Sequence, residues 1–335
     1  MSEEDEAAEF RHFSEILDSF RNYKSDSLAE LPRQKNTETA IHLNSTFTSA
    51  IVQSSGGIFG AEIDPPKPSL DRNICKVRST LKQFVREWSR DGMPERMASF
   101  TPLIEGLKRH LALGQFVVCP GSGLGRLPYE LAKAGYHAQG NEFSYHMILG
   151  SHFILNSGKF QTPNSAVLVP YCLSFSNCLS DKSRLRTVRV PDEIPTQTRG
   201  RMSMCAGEFV ETYSRQEPGM ADGLVTCFFI DTAKNIMLYI RTFARMVRKE
   251  GIWANLGPLL FHYAENDAEI SVELSWVEVR QLICTYFTIE EEQFPVKCHY
   301  SGNSESLAHT QYECVFFIAK RNDQPVRGYS NPVFT

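Results

Sequence analysis

Apolar residues recur at three- and four-residue steps in two stretches of the first ninety positions. Phe10, Phe13, Ile16, Leu17 and Phe20 form one stripe, and Val77, Leu81, Phe84, Val85 and Trp88 form a second within residues 71–89. That period puts each set on one face of an amphipathic helix. Between them, residues 25–69 are polar and carry Ser54-Ser55-Gly56-Gly57 and the prolines Pro65, Pro66 and Pro68, which predicts loop around a helical piece at 39–52. From Gln115 the pattern changes. Apolar runs at 116–119, 137–141, 202–206, 224–230, 252–256 and 314–318 alternate with helical patterns at 124–134, 145–156, 235–248 and 276–285. Such alternation predicts an α/β domain, a parallel sheet with helices on both faces. Residues 157–200 break the rhythm with a long polar, proline-containing stretch, expected to be an insertion shaping the substrate side. The expected organisation is a mostly helical cover over residues 1–110 and an α/β domain over 111–335.

The strand Phe116-Val117-Val118-Cys119 runs directly into Pro120-Gly121-Ser122-Gly123-Leu124-Gly125. Closely spaced glycines after a buried strand let backbone approach a ligand without a Cβ in the way. With a helix behind the turn, a nucleotide-like ligand belongs at the carboxyl end of the sheet. A dinucleotide fingerprint needs its third glycine where Arg126 stands, which disfavours a nicotinamide-dependent oxidoreductase. The alternating spacing G-x-G-x-G is the arrangement of S-adenosylmethionine (AdoMet)-dependent methyltransferases. Other strand ends carry matching chemistry. Glu142, about twenty residues beyond the turn, can accept from both ribose hydroxyls of an adenosine. Glu208 can meet an adenine amino group and Phe209 can cover the base. The next run, Thr226-Cys227-Phe228-Phe229-Ile230, ends on Asp231, whose charge is then partly desolvated and needs a partner. The alternative role for Asp231 is the N-cap of a helix starting near Lys234. Gln83 and Arg86 share a polar face of the second helix, and spacing alone makes that face a solvated one.

Composition narrows the class. The 335 residues carry a net charge of −4 with both signs interspersed, so no nucleic-acid footprint is expected. The basic clusters at 184–189 and 241–249 are expected to be solvated faces. The acidic opening Glu3-Glu4-Asp5-Glu6 is unlike a signal peptide, and no apolar run reaches membrane-spanning length. The nine cysteines are scattered singly with no C-x-x-C pair, which fits reduced thiols in a cytoplasmic or nuclear protein rather than a disulfide framework. No His or Cys spacing suggests a zinc site, and no metal is expected.

Several blocks together resemble the carnosine N-methyltransferase (N2227-like) family. They are Ser79-Thr80-Leu81-Lys82-Gln83-Phe84-Val85-Arg86-Glu87-Trp88-Ser89, the glycine turn through Leu127, Gln139-Gly140-Asn141-Glu142-Phe143-Ser144, Thr226 to Ala233, Trp253 to Leu260, and Tyr312-Glu313-Cys314-Val315. The likeness runs in register from the first helix to about Lys320. It implies a class I, Rossmann-like methyltransferase domain with a mostly parallel seven-stranded sheet. It also implies methyl transfer from AdoMet to the imidazole of carnosine, giving anserine. Related members are expected to modify histidine in peptides or proteins, and an inactive AdoMet-binding module is the remaining alternative. Carried over by position, Gln83, Arg86, Gly121, Gly123, Glu142, Glu208, Phe209 and Cys227 become cofactor contacts, and Asp231, His262 and Tyr312 substrate contacts. For Gln83 and Arg86 this reverses the solvated-face reading. The chain departs from the family pattern at Glu208, where Asp is usual, at Lys234, where His is usual, and through most of 157–200. The partner implied is a small molecule or peptide bearing imidazole, without nucleic acid or membrane, and the N-terminal arm is a candidate homodimer surface.

Overall fold

The structure, a computed structural model, describes residues 3–29, 35–55, 67, 69–196, 198, 200–264 and 269–326. Gly56, Gly57, Pro65, Pro66 and Pro68 lie outside the described residues. The cover begins with α1 (Glu3–Arg21), α2 (Tyr23–Ala29), α3 (Lys35–Ser54) and α4 (Asp71–Trp88), followed by α5 (Met93–His110). The first stripe does what its period requires. Phe13, Ile16, Leu17 and Phe20 are buried against Ile41, Phe47 and Ile51 of α3 and against Val77, Leu81 and Phe84 of α4, while Phe10 stays exposed. The stripe is thus buried within one chain. Much of the polar segment at 25–69 is helix, because α3 turns Ile41, Phe47 and Ile51 inward and its buried Asn44 is satisfied by the Tyr23 hydroxyl and the Val169 backbone, while Glu38, Thr39, His42 and Gln53 stay exposed.

The chain then runs through β1 (Phe116–Pro120), α6 (Arg126–Ala134), β2 (His137–Glu142), α7 (Tyr145–Asn156), β3 (Ala166–Leu168), α8 (Asp181–Arg184), β4 (Val188–Val190), β5 (Met202–Ala206), α9 (Phe209–Ser214), β6 (Ala221–Cys227), α10 (Ile236–Met246), β7 (Val247–Gly257), α11 (Trp276–Tyr286), β8 (Phe287–His299) and β9 (Gln311–Arg321). Seven strands form one sheet in the order β5-β2-β1-β6-β7-β9-β8. All pairs from β5 to β7 are parallel, and β9 runs antiparallel to both β7 and β8. This is the class I methyltransferase arrangement. One face is covered by α5 and α6, with Phe100, Leu103, Leu107 and Leu131 against Val117, Val225, Ile252 and Ile318. The other carries α10 and α11, with Ile240, Phe243 and Ile283 against Val118, Leu224, Trp253 and Phe317. Because α5 lies on the sheet, the cover and the sheet layer overlap within residues 93–110.

The boundaries differ from expectation for identifiable reasons. The apolar run after Leu224 stops pairing at Cys227. Phe229 and Ile230 leave the ladder to join a cluster with Phe209, Tyr239 and Phe243. The sequence shows no clear strand at 287–299, since Phe287 and Cys298 are its only buried residues and pairing with β9 defines the rest. No described residue of the insertion lines the main cavity, and the insertion meets that side only through the β8–β9 loop, which Tyr171 and Arg186 hold. Its antiparallel pair β3–β4 places Leu168 and Val190 in the core beneath α3 and α4. Asp192, next along, accepts from Arg96 at 2.5 Å and Arg126 at 2.6 Å. Arg184 is likewise buried rather than solvated, donating to Thr37 at 3.1 Å and to the Cys172 carbonyl. Arg245 and Arg248 of the second basic cluster reach the Ser214 carbonyl and Asp222.

Among the described residues, no helix is long and apolar enough to cross a membrane, and no group of His, Cys, Asp or Glu could hold a metal. All nine cysteines are free thiols.

Candidate active site

The turn after β1 is shaped by close approach. Gly121 and Gly123 have φ of +65° and +56°, values that L side chains rarely adopt. A Cβ on Gly121 would lie 2.4 Å from the Phe229 ring, and one on Gly123 would lie 2.5 Å from Oε1 of Glu87. Glu87 ties the cover to this turn. Its Oε1 accepts from the Gln83 amide at 2.7 Å and the Leu124 N–H at 3.2 Å, and Oε2 accepts from the Arg126 N–H at 3.1 Å. A carboxylate at the amino end of α6 meets unpaired N–H groups and the positive end of the helix dipole. From the other side, Oε2 of Glu142 accepts from the Gly123 N–H at 2.8 Å. Its Oε1 accepts from the N–H groups of Phe143 and Ser144 at 2.9 and 2.8 Å. Burial pushes both carboxyls above the ordinary carboxylate range.

The turn forms the floor of a cavity of about 740 Å³ at the carboxyl ends of β1, β2 and β6. Nine of the predicted residues line it: Gln83, Arg86, Gly121, Gly123, Glu142, Glu208, Phe209, Cys227 and His262. Gln83 and Arg86 are only 6% and 5% exposed, which overturns the solvated-face reading. The Arg86 guanidinium lies over the rings of Tyr300 at 4.5 Å, Phe100 at 5.4 Å and Phe228 at 5.8 Å, and its Nε has no hydrogen-bond partner. Glu208 both lines the cavity and caps α9, accepting from the Glu211 N–H at 2.8 Å, and burial raises its pKa. Phe209 packs edge-on against Phe229 at 5.6 Å. The Cys227 thiol is pushed up to about 11 by burial, so it stays protonated at neutral pH.

Asp231 and Tyr312 do not line the cavity; each stands one layer behind it. Asp231 sits in a short 3-10 turn at Ile230–Thr232 and is 2% exposed. It caps no helix, since Asn235 caps α10 by accepting from the Leu238 N–H. Asp231 Oδ2 accepts from the Leu260 N–H at 2.9 Å, and its carbonyl accepts from the His262 N–H at 3.1 Å. Oδ1 is buried without a hydrogen-bond partner among the described residues. Desolvation pushes this carboxyl above its ordinary range. Its chain neighbour Thr232 lines the cavity beside His262. Tyr312 packs behind Phe228, ring centroids 5.8 Å apart. Lys234, at the mouth, pairs with Glu269 and lies over the Tyr263 ring.

Glu87 and Tyr300 are among the lining residues that escaped the sequence reading. Glu87 had a signal, being one helical turn after Gln83 on the same face. Tyr300 had none, because it follows a strand that was itself not recognised. The donor set suits AdoMet: a buried guanidinium whose Nε makes no hydrogen bond among the described residues, closely approaching glycine backbone, an aromatic wall and several buried carboxylates that favour a positive sulfonium.

Comparison with known proteins decides the family. A family model described as Carnosine N-methyltransferase matches residues 65–323. The chain belongs to the carnosine N-methyltransferase family. A mouse protein named Carnosine N-methyltransferase is 33% identical, with the alignment covering 96% of this chain and 88% of the mouse protein. A rat protein of that name is 38% identical over 76% of this chain and 65% of its own length. One from Schizosaccharomyces pombe is 34% identical over 87% and 83%. As a member of this family, the chain is a methyltransferase that uses AdoMet as methyl donor.

Proposed function

We propose that the chain methylates the imidazole ring of carnosine to give anserine. The observation that carries this reading is the single cavity that joins the family's glycine turn and signature helix to His262 and the Asp231 turn. AdoMet, when bound, supplies a methyl group already activated on a sulfonium. Arg86 and Gln83 hold the methionine portion from α4, Glu142 faces the ribose, and Glu208 with Phe209 takes the adenine. Cys227 lines the wall between them as a neutral thiol. The task left to the protein is alignment, and a rigid cavity supplies it.

On the acceptor side, neutral imidazole has one N–H and one lone pair, and its reference pKa of about 6.5 leaves it mostly unprotonated at neutral pH. Asp231 Oδ1 has no hydrogen-bond donor among the described residues. In this reading Thr232 and His262, which stand between Oδ1 and the cavity, move aside for the acceptor, and the ring then donates its N–H to Oδ1. That fixes the tautomer, so the other nitrogen presents its lone pair, and the carboxylate stabilises the positive charge that develops on the ring. His262 and Tyr312 orient the ring and the dipeptide, Tyr312 acting through Phe228.

The test is incubation of the purified chain with methyl-labelled AdoMet and either carnosine or a histidine-containing peptide. Label is expected in anserine, with the peptide a poor acceptor. Label in the peptide alone would replace the acceptor, and AdoMet binding with no transfer to either would reduce the chain to a binding module.

A further inference from the structure

We propose that Glu95, in the first turn of α5, is a positioning residue for the Tyr300–Arg86 wall of the cavity, where the methionine portion of AdoMet would meet the acceptor, a role that rests on the imidazole reading above. Glu95 does not line the cavity, and its side chain is 14% exposed. Its two oxygens face two parts of the wall. Oε2 accepts from the Ser301 N–H at 2.8 Å and lies 3.5 Å from Arg86 Nε, and Oε1 accepts from the Gly302 N–H at 3.2 Å. The residue just before those donors is Tyr300, which lines the cavity, lies over the Arg86 guanidinium at 4.5 Å and meets Phe228 at 4.9 Å. Tyr312 touches the same Phe228 at 5.8 Å. One carboxylate therefore sets the backbone that carries Tyr300 and balances the cation beneath its ring. Hydrogen bonds from backbone N–H groups to a charged acceptor are short and directional, so this contact fixes position more firmly than a neutral one.

The loop between β8 and β9 has other anchors, and they separate positioning from folding. The Tyr171 hydroxyl donates to the Gly302 carbonyl at 3.1 Å, Arg186 donates to the Asn303 side chain at 3.1 Å, and the Leu307 N–H donates to the Asn177 carbonyl at 2.9 Å. These contacts come from the insertion and keep the loop on the protein without Glu95. What Glu95 adds is the alignment of Tyr300 with Arg86. A misplacement of about 1 Å in a positioning group is enough to cost about 100-fold in rate.

The experiment compares wild type, Glu95→Ala and Glu95→Gln in the full chain. Three quantities are read: carnosine KM and kcat, AdoMet affinity by calorimetry, and deuterium uptake of the segment containing Ser301 and Gly302. Glu95→Ala is expected to raise carnosine KM by about tenfold or more and to speed exchange at Ser301 and Gly302, with AdoMet affinity falling by a smaller factor through Arg86. Glu95→Gln keeps one acceptor oxygen and is expected to fall between the two. A wild-type KM in Glu95→Ala overturns the proposal, as does a parallel loss of AdoMet affinity. If the alanine variant does not fold, Glu95→Gln decides alone, and a wild-type KM there overturns it. Failure of the imidazole reading shows separately, as wild type that leaves carnosine unmethylated, while exchange at the two amides still reports on the contact.

Discussion

Asp231 holds a carboxylate with one oxygen on the Leu260 N–H and the other buried without a hydrogen bond among the described residues. Burial raises its pKa, so over the interval from the ordinary carboxylate value up to the raised one, the folded chain binds a proton that the unfolded chain has released. Stability attributable to this group therefore falls as pH rises through that interval. Asp231→Asn removes the ionisation and keeps an acceptor for Leu260. The variant is expected to melt at the same or a higher temperature than wild type at neutral pH, the difference shrinking as pH falls toward the range where Asp231 is protonated in both states. Carnosine turnover should drop by about 100-fold or more while AdoMet affinity stays within a few-fold. Melting curves across pH, paired with turnover, check both halves, and wild-type turnover would remove Asp231 from the chemistry. Gly121→Ala makes the complementary case. At φ +65°, with a ring 2.4 Å from the new Cβ, it should cost about 1–2 kcal/mol from backbone strain alone and weaken AdoMet binding measured by calorimetry.

Helix α4 meets the amino end of α6 through Glu87, which serves three donors from the two elements. Gly125 precedes α6 with no side chain to cap it, so the cap is supplied from the cover helix. This couples cofactor affinity to the packing of α4. Glu87→Ala strands buried N–H groups at about 1–3 kcal/mol and frees the Gln83 amide. The expected result is a lower melting temperature together with at least a tenfold loss of AdoMet affinity. A variant that loses stability but binds AdoMet as wild type does would show Gln83 to be placed by other contacts.

Across the whole molecule, the insertion is joined to the sheet layer through a buried network. Asp192, 6% exposed at its side chain, pairs with Arg96 and Arg126, and Arg126 also stacks over Trp88 at 4.8 Å. Removing one partner of a buried pair leaves uncompensated charge, typically about 3–5 kcal/mol. Asp192→Ala is accordingly expected to shift the denaturation midpoint strongly. Because none of Asp192, Arg96 and Arg126 lines the cavity or bonds the loop that carries Tyr300, carnosine KM should stay near wild type at temperatures where the variant is folded. A large KM change without loss of stability would mean that the network acts on the site directly.

The chain's local chemistry determined much of this protein. The helical stripes, the strand–glycine–helix unit after Phe116 and the carboxylates at strand ends depend on period, turn residues and near neighbours, and all are visible in the sequence. The resemblance carried by those blocks pointed to the family, and the family comparison established it. What only the tertiary structure decided depends on contacts made across long separations. Residues 287–299 become a strand because β9 pairs with them, not because of their own pattern. Gln83 and Arg86 look like a polar helix face until the cavity closes over them. Glu95 and Tyr300, some two hundred positions apart, become neighbours because α5 packs against β8 and β9, which the loop carrying Tyr300 joins. A polar residue's role is set by what surrounds it, and that is fixed only when the chain has folded.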